Sequence, residues 1–309
     1  MKVKINNHTM HIPESWNALS FQQAFGIYQI AMKDVGSLFA PEEIMPAKRI
    51  QIARYLLKLN DEFMRKWEAD CIKAYGDEGA KVFVAELDEL CKITDPFFDI
   101  TEKDDGSKHY SLKMEFTRIP FKTLMRKKKN EQKRTYYGPA DELANLSLYE
   151  LGTTFTLFER YLEDDNEAIV DQLIATLYRR PKPDTADNRR SGYQGDRRLP
   201  LLNHEATVEK RAKWMATLTP AVKQMIVFWF ACCRHQIIEN HRDIFKEGSA
   251  PRKGRDFGWG GILLSLADGL VNLDKVSAQP WQNGLMYMRY LEDQRKQMED
   301  RMKQVKRAS

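Results

Sequence analysis

The chain has 309 residues, 30% of them charged and 42% hydrophobic, with a net charge of +5 and four cysteines. That length holds one large core or two ordinary ones, the balance excludes a disordered chain, and the sparse cysteines exclude a disulfide-built secreted scaffold. The longest apolar run, Met225 to Cys233, lies between Lys223 and Arg234 and falls well short of the roughly 20 residues of a membrane span, so a buried helix is expected there.

At the start, Val3 and Ile5 alternate with polar neighbours, Asn6-Asn7 suits a tight turn, and Met10 and Ile12 alternate again, which predicts a hairpin over 2–12. No signal-like apolar stretch occurs in MKVKINNHTMHIP, and the expected location is the cytoplasm. Ser20 with Gln23 forms a capping box for a helix whose apolar face reads Phe21, Phe25, Tyr28 and Met32. Further helices are expected from Pro46 to Leu57, through Phe63, Trp67, Cys71 and Tyr75, and from Val82 to Cys91. Between 97 and 117 the period changes to two, with Asp105-Gly106 as the turn. This second hairpin is expected to complete a small sheet with the first, because an isolated hairpin is marginal in water.

The basic stretch 122–134 marks the expected boundary between an α+β region, 1–135, and a helical region, 136–309. Beyond it, Ser147 and Glu150 repeat the capping box, with Leu146 and Leu151 as its staple. Helices then follow around Phe155–Tyr161 and Ala168–Tyr178. Pro181 and Pro183 open an arginine-rich loop of about twenty residues, long enough to suspect function or disorder. A helix from Ala206 and another behind Thr219-Pro220 come next, the latter carrying the apolar run and the expected core residues Met225, Phe228, Trp229 and Ile237. A glycine-rich turn, GRDFGWGG, precedes a helix over Ile262–Ala267. The last helix is expected to anchor through Trp281, Leu285, Met288 and Leu291 and then to project, with only Met298, Met302 and Val305 as a sparse stripe. The predicted class is therefore α+β, predominantly α-helical, with two short hairpins in the N-terminal part and a helical C-terminal core.

Charge is unevenly spread. Residues 122–134 carry seven basic and one acidic side chain, and residues 179–198 seven basic and three acidic. Such blocks either keep loops solvated or meet a partner of opposite sign. No P-loop, dinucleotide fingerprint, GxSxG or HExxH occurs. Cys232, Cys233, His235, Glu239 and His241 form a metal-like cluster, but the cysteines sit in apolar sequence and no second ligand segment accompanies them. No catalytic residue, cofactor or metal is expected. Basic residues beside Tyr136, Tyr137 and Tyr193 would suit nucleic acid, although no nucleic-acid-binding fingerprint appears.

Three stretches together, IPESWNALSFQQ, YYGPADELANLSLYE followed by LIATLYRRPK and GDRRLP, and FGWGGILLSLADG, resemble tail-morphogenesis proteins of tailed phages and prophages of Bacteroides-type bacteria. Those occupy the place of tail assembly chaperones, which bind the tape-measure protein while the tail tube polymerises. The resemblance implies a non-enzymatic assembly factor in the host cytoplasm, binding a tape-measure or tail-tube protein. The alternative is a structural virion protein or a nucleic-acid-associated adaptor. The residues expected to meet the partner are Arg189, Arg190, Tyr193, Arg197 and Arg198 in the loop, and Met298 and Met302 on the last helix.

Overall fold

The computed structural model describes residues 2–5, 8–33, 41–104, 106–126, 134–183, 196–201, 205–245, 258–268 and 270–308. Helices dominate, and the β structure consists of two-stranded antiparallel sheets, so the α+β class stands. Two compact units divide the chain, Met1–Phe116 and Thr117–Ser309. The division falls before the basic stretch that the sequence suggested as the boundary, and that stretch belongs to the second unit.

In the first unit β1 (Lys2–Ile5) pairs with β2 (His8–His11), setting Lys2 opposite His11. A short 3-10 turn then buries Trp16, whose indole donates to the Phe97 carbonyl at 3.2 Å and meets the Phe97 ring edge-on at 5.7 Å. Helix α1 (Phe21–Met32) starts at the expected capping box, Ser20 with Gln23. Its buried face is Ala24 and Ile27, whereas Met32 is 62% exposed. Helices α1 and α2 (Pro41–Leu57) approach closely at Gly26, where a Cβ would stand 2.3 Å from the Tyr55 ring. Helix α2 begins five residues before the expected Pro46, which lies inside it. Helices α3 (Asp61–Tyr75, capped by Asn60) and α4 (Gly79–Cys91) complete a core of Ile12, Ala53, Leu57, Leu90 and Ile93.

Strands β3 (Phe98–Glu102) and β4 (Lys108–Leu112) pair with Phe98 opposite Leu112, and Gly106 takes φ +77 in the turn. The two hairpins do not join into one sheet, contrary to expectation. Arg49 of α2 supports the second instead: its guanidinium donates to Thr94 Oγ1, the Cys91 carbonyl, the Asp95 carboxylate and the Tyr110 hydroxyl, and stacks over the Tyr110 ring.

The second unit opens with a third hairpin that the sequence did not suggest, β5 (Thr123–Arg126) and β6 (Arg134–Tyr137). Leu124 and Tyr136 are opposite one another and buried. It is followed by α5 (Leu148–Asp164), α6 (Glu167–Leu177), α7 (Glu205–Met215), α8 (Pro220–Asn240), α9 (Gly258–Leu266), α10 (Leu273–Ser277) and α11 (Trp281–Ala308). Helix α5 packs against α6, α9, α10 and α11. The expected core of α8 is buried, with Met225, Phe228, Trp229 and Ile237 inward, and the Trp229 indole donates to the Thr117 carbonyl at 2.9 Å. Lys223 of α8 is also buried and pairs with Asp171 of α6 at 2.7 Å. Of the expected glycine turn, residues 254–257 lie outside the described residues and Gly258–Gly261 open α9, whose Trp259 lies on Gly152 of α5, where a Cβ would meet the indole at 3.0 Å. No described helix is long and apolar enough to cross a membrane.

Candidate functional site

Helix α6 ends at Leu177, and its last carbonyls gather cations, as the negative end of a helix dipole favours. The Leu177 carbonyl accepts from Arg198 Nη1 at 2.9 Å, and the Ala175 carbonyl accepts from Arg211 Nε of α7 at 3.0 Å. Arg179 follows two residues after the helix and is locked to β6, its N–H and carbonyl exchanging bonds with Tyr137. Its side chain is 1% exposed, like that of Arg198.

Two carboxylates answer Arg179 and Arg198. Glu150, in the first turn of α5, accepts from Arg179 Nη1 at 2.5 Å and from Arg198 Nη2 at 3.4 Å, while still capping Ser147. Asp196 takes Arg198 side-on, through Nε and Nη2 at 2.9 Å each. Arg198 also reaches Asn145. Burial pulls Arg179 and Arg211 below the usual guanidinium pKa, and the neighbouring positive charges add to this: Arg198 acts on Arg179, and Arg179 on Arg211. Both stay protonated, since arginine does not give up its proton in proteins.

This network closes the base of the arginine-rich loop. Pro181 bridges Arg198, Lys182 N–H donates to the Arg197 carbonyl at 2.7 Å, and Leu199 N–H donates to the Arg180 carbonyl at 2.8 Å. The loop thus leaves and returns through one pinned neck. Of the expected partner-binding residues, Arg189, Arg190 and Tyr193 lie outside the described residues. Arg197 is exposed at the neck. Arg198 is corrected: it is buried and committed to Asp196, Glu150 and Leu177, because burying a guanidinium demands such partners.

The second candidate surface is α11, 28 residues and about 42 Å long at the usual helical rise. Its start is fixed by Trp281, whose indole donates to the Leu143 carbonyl at 3.0 Å, by buried Leu285, and by Gly284, where a Cβ would stand 2.6 Å from Leu148. Arg289 pairs with Asp243. Leu291, expected as an anchor, is 38% exposed, so the anchorage ends about one turn earlier. Met298 and Met302 are 60% and 67% exposed. Met288, Leu291, Arg295, Met298 and Met302 follow spacings of three, four, three and four, the seam of a coiled-coil helix.

The metal-like cluster is dispersed. Cys232 and Cys233 are buried in the α8 core, burial holds the Cys233 thiol well above its usual pKa, His235 is exposed, and Glu239 pairs with Arg242. Among the described residues no group of three or more histidine, cysteine or acidic side chains is placed to hold a metal ion. Comparison with protein-family models, curated proteins and solved structures finds no match to this chain.

Glu150, Arg179, Asp196 and Arg211 escaped sequence reasoning as a group. Glu150 was legible as a cap residue only, and the others lay in loop or helix surface positions whose long-range pairing has no periodic signature.

Proposed function

We propose that the protein is a non-enzymatic assembly factor that receives a helical partner along the exposed part of α11, in the manner of a tail assembly chaperone binding a tape-measure protein in the host cytoplasm. The observation that supports this reading is the heptad-spaced stripe Met288, Leu291, Met298 and Met302, exposed in its outer half. Methionines adapt to differently shaped apolar surfaces, which suits a long and variable helical partner. The test is co-expression and co-purification with a phage tape-measure protein. Replacing Met298 and Met302 by Glu should leave the melting temperature unchanged and weaken binding at least tenfold. Unchanged binding sinks the reading.

A second reading, a nucleic-acid-associated or structural virion protein, draws on the third hairpin. Its register sets Arg126 opposite Arg134 beside the basic stretch, and like charges directly opposite destabilise a strand pair unless an anion lies between them. Steeply salt-dependent DNA binding, together with the protein's presence in purified particles, would favour it over the first.

A further inference from the structure

The three guanidiniums at the end of α6 face two carboxylates, and the helix terminus itself supplies only about half a negative charge. The deficit has a location. Arg179 uses Nη1 on Glu150, but its Nε and Nη2 are both buried and without a hydrogen-bond partner. These two donors form the side-on edge of the guanidinium, the fork that grips an oxyanion through two parallel bonds. The nearest carboxylate oxygen, on Asp196, stands 3.6 Å from Nη2, beyond hydrogen-bond reach, because Arg198 already holds Asp196 side-on.

Arg211, whose guanidinium feels the charge of Arg179, is also short of a partner. Its Nε is tethered to the Ala175 carbonyl, one helical turn before Arg179, and its Nη2 is buried and unpartnered. Buried donors of charged groups are costly to leave unmade, so such a set calls for an acceptor.

We propose that this cluster holds a small free oxyanion of the phosphate or sulfate type, gripped by the side-on edge of Arg179 and by Nη2 of Arg211. A tetrahedral ion offers enough oxygens to serve both residues at once, whereas a nucleic-acid phosphodiester is too encumbered to reach donors that are fully covered. Asp196, with 23% of its side chain exposed, is the more accessible of the two carboxylates, and the ion enters on its side of the network. The bound ion neutralises the excess charge and tightens the neck of the arginine-rich loop.

The experiment titrates inorganic phosphate into the full-length chain, at constant ionic strength held with chloride. It follows heat by calorimetry and, separately, the melting temperature. The expected result is saturable binding of about one ion per chain with a rising melting temperature. Arg211→Gln should weaken that binding at least tenfold while the chain stays folded, and Arg301→Gln, on the exposed end of α11, should leave it unchanged. Arg179→Lys, which keeps the charge and loses the fork, should also lose binding; if it fails to fold, Arg211→Gln carries the test. No saturable binding means that water serves these donors and overturns the proposal. So does equal weakening by Arg301→Gln, which would mark the effect as general surface charge.

Discussion

The chain starts two helices with one device and uses it in two ways. At α1, Ser20 and Gln23 cap one another, with Ser20 N–H on Gln23 Oε1 at 2.9 Å and Gln23 N–H on Ser20 Oγ at 3.3 Å, on an exposed surface. At α5, Ser147 and Glu150 make the same reciprocal pair at 3.4 and 3.2 Å. There the cap is overlaid by neighbours: Leu148 N–H donates to the Gln279 carbonyl, and Trp281 N–H to the Leu146 carbonyl. Above all, the capping residue is an acid and is buried, with Arg179 and Arg198 closing on it. The first box organises one helix turn. The second joins α5, the end of α6, the loop neck and the seat of α11. An amide and an acid satisfy a capping box equally well, but only the acid can hold two buried guanidiniums.

The comparison is broken most severely by Glu150→Gln. The amide still reaches Ser147 N–H, so the cap survives while the charge is lost. Arg179 is left uncompensated, and about 3–5 kcal/mol of stability should go, as when one partner of a buried ion pair is removed. A urea unfolding midpoint that stays put would show the network to be incidental. Arg198→Met should cost somewhat less, about 1.5–3 kcal/mol, because Glu150 retains Arg179. Faster trypsin cleavage between Arg180 and Arg197 is expected in the same variant, read against the parent by mass spectrometry.

Ser147→Ala should cost about 1–2 kcal/mol and Ser20→Ala about 0.5–1 kcal/mol, the two ends of the range for lost caps. Equal values in thermal unfolding would mean that burial adds nothing to the second box. The smallest effect is a gain. Gln23→Glu places an acid in the first turn of α1 while keeping the cap, and should add about 0.3–1 kcal/mol at low salt, fading as salt rises.

Much of the fold was legible because it depends on local signals. Both capping boxes, the hairpin of β3 and β4 and the apolar run Met225–Cys233 of α8 follow from neighbours within a few residues. The third hairpin was not: its strands are as short as those of the first, but a run of lysines joins them where the first has the turn pair Asn6-Asn7. Pro46 suggested a helix start because proline favours the first turn, yet α2 absorbs it at its sixth position. Arg198 sat among polar residues that mark a solvated loop; its burial depends on Glu150, 48 positions away, and no short-range pattern reports such a pairing. Leu291 fitted the anchor stripe by spacing, but α5 gives α11 a seat only at its beginning, around Gly284.

The pinned neck of the arginine-rich loop has an evolutionary consequence. Because Lys182, Arg197 and Leu199 zip the two ends together before the segment between them begins, the core is insulated from that segment's length and wording. Each doubling of a closed loop costs only about 0.6 kcal/mol of chain entropy. Insertions, deletions and wholesale rewriting between Pro183 and Asp196 are therefore cheap for this scaffold, which makes that span the place where lineages can diverge, and where a tag or a foreign peptide can be spliced in without opening the neck.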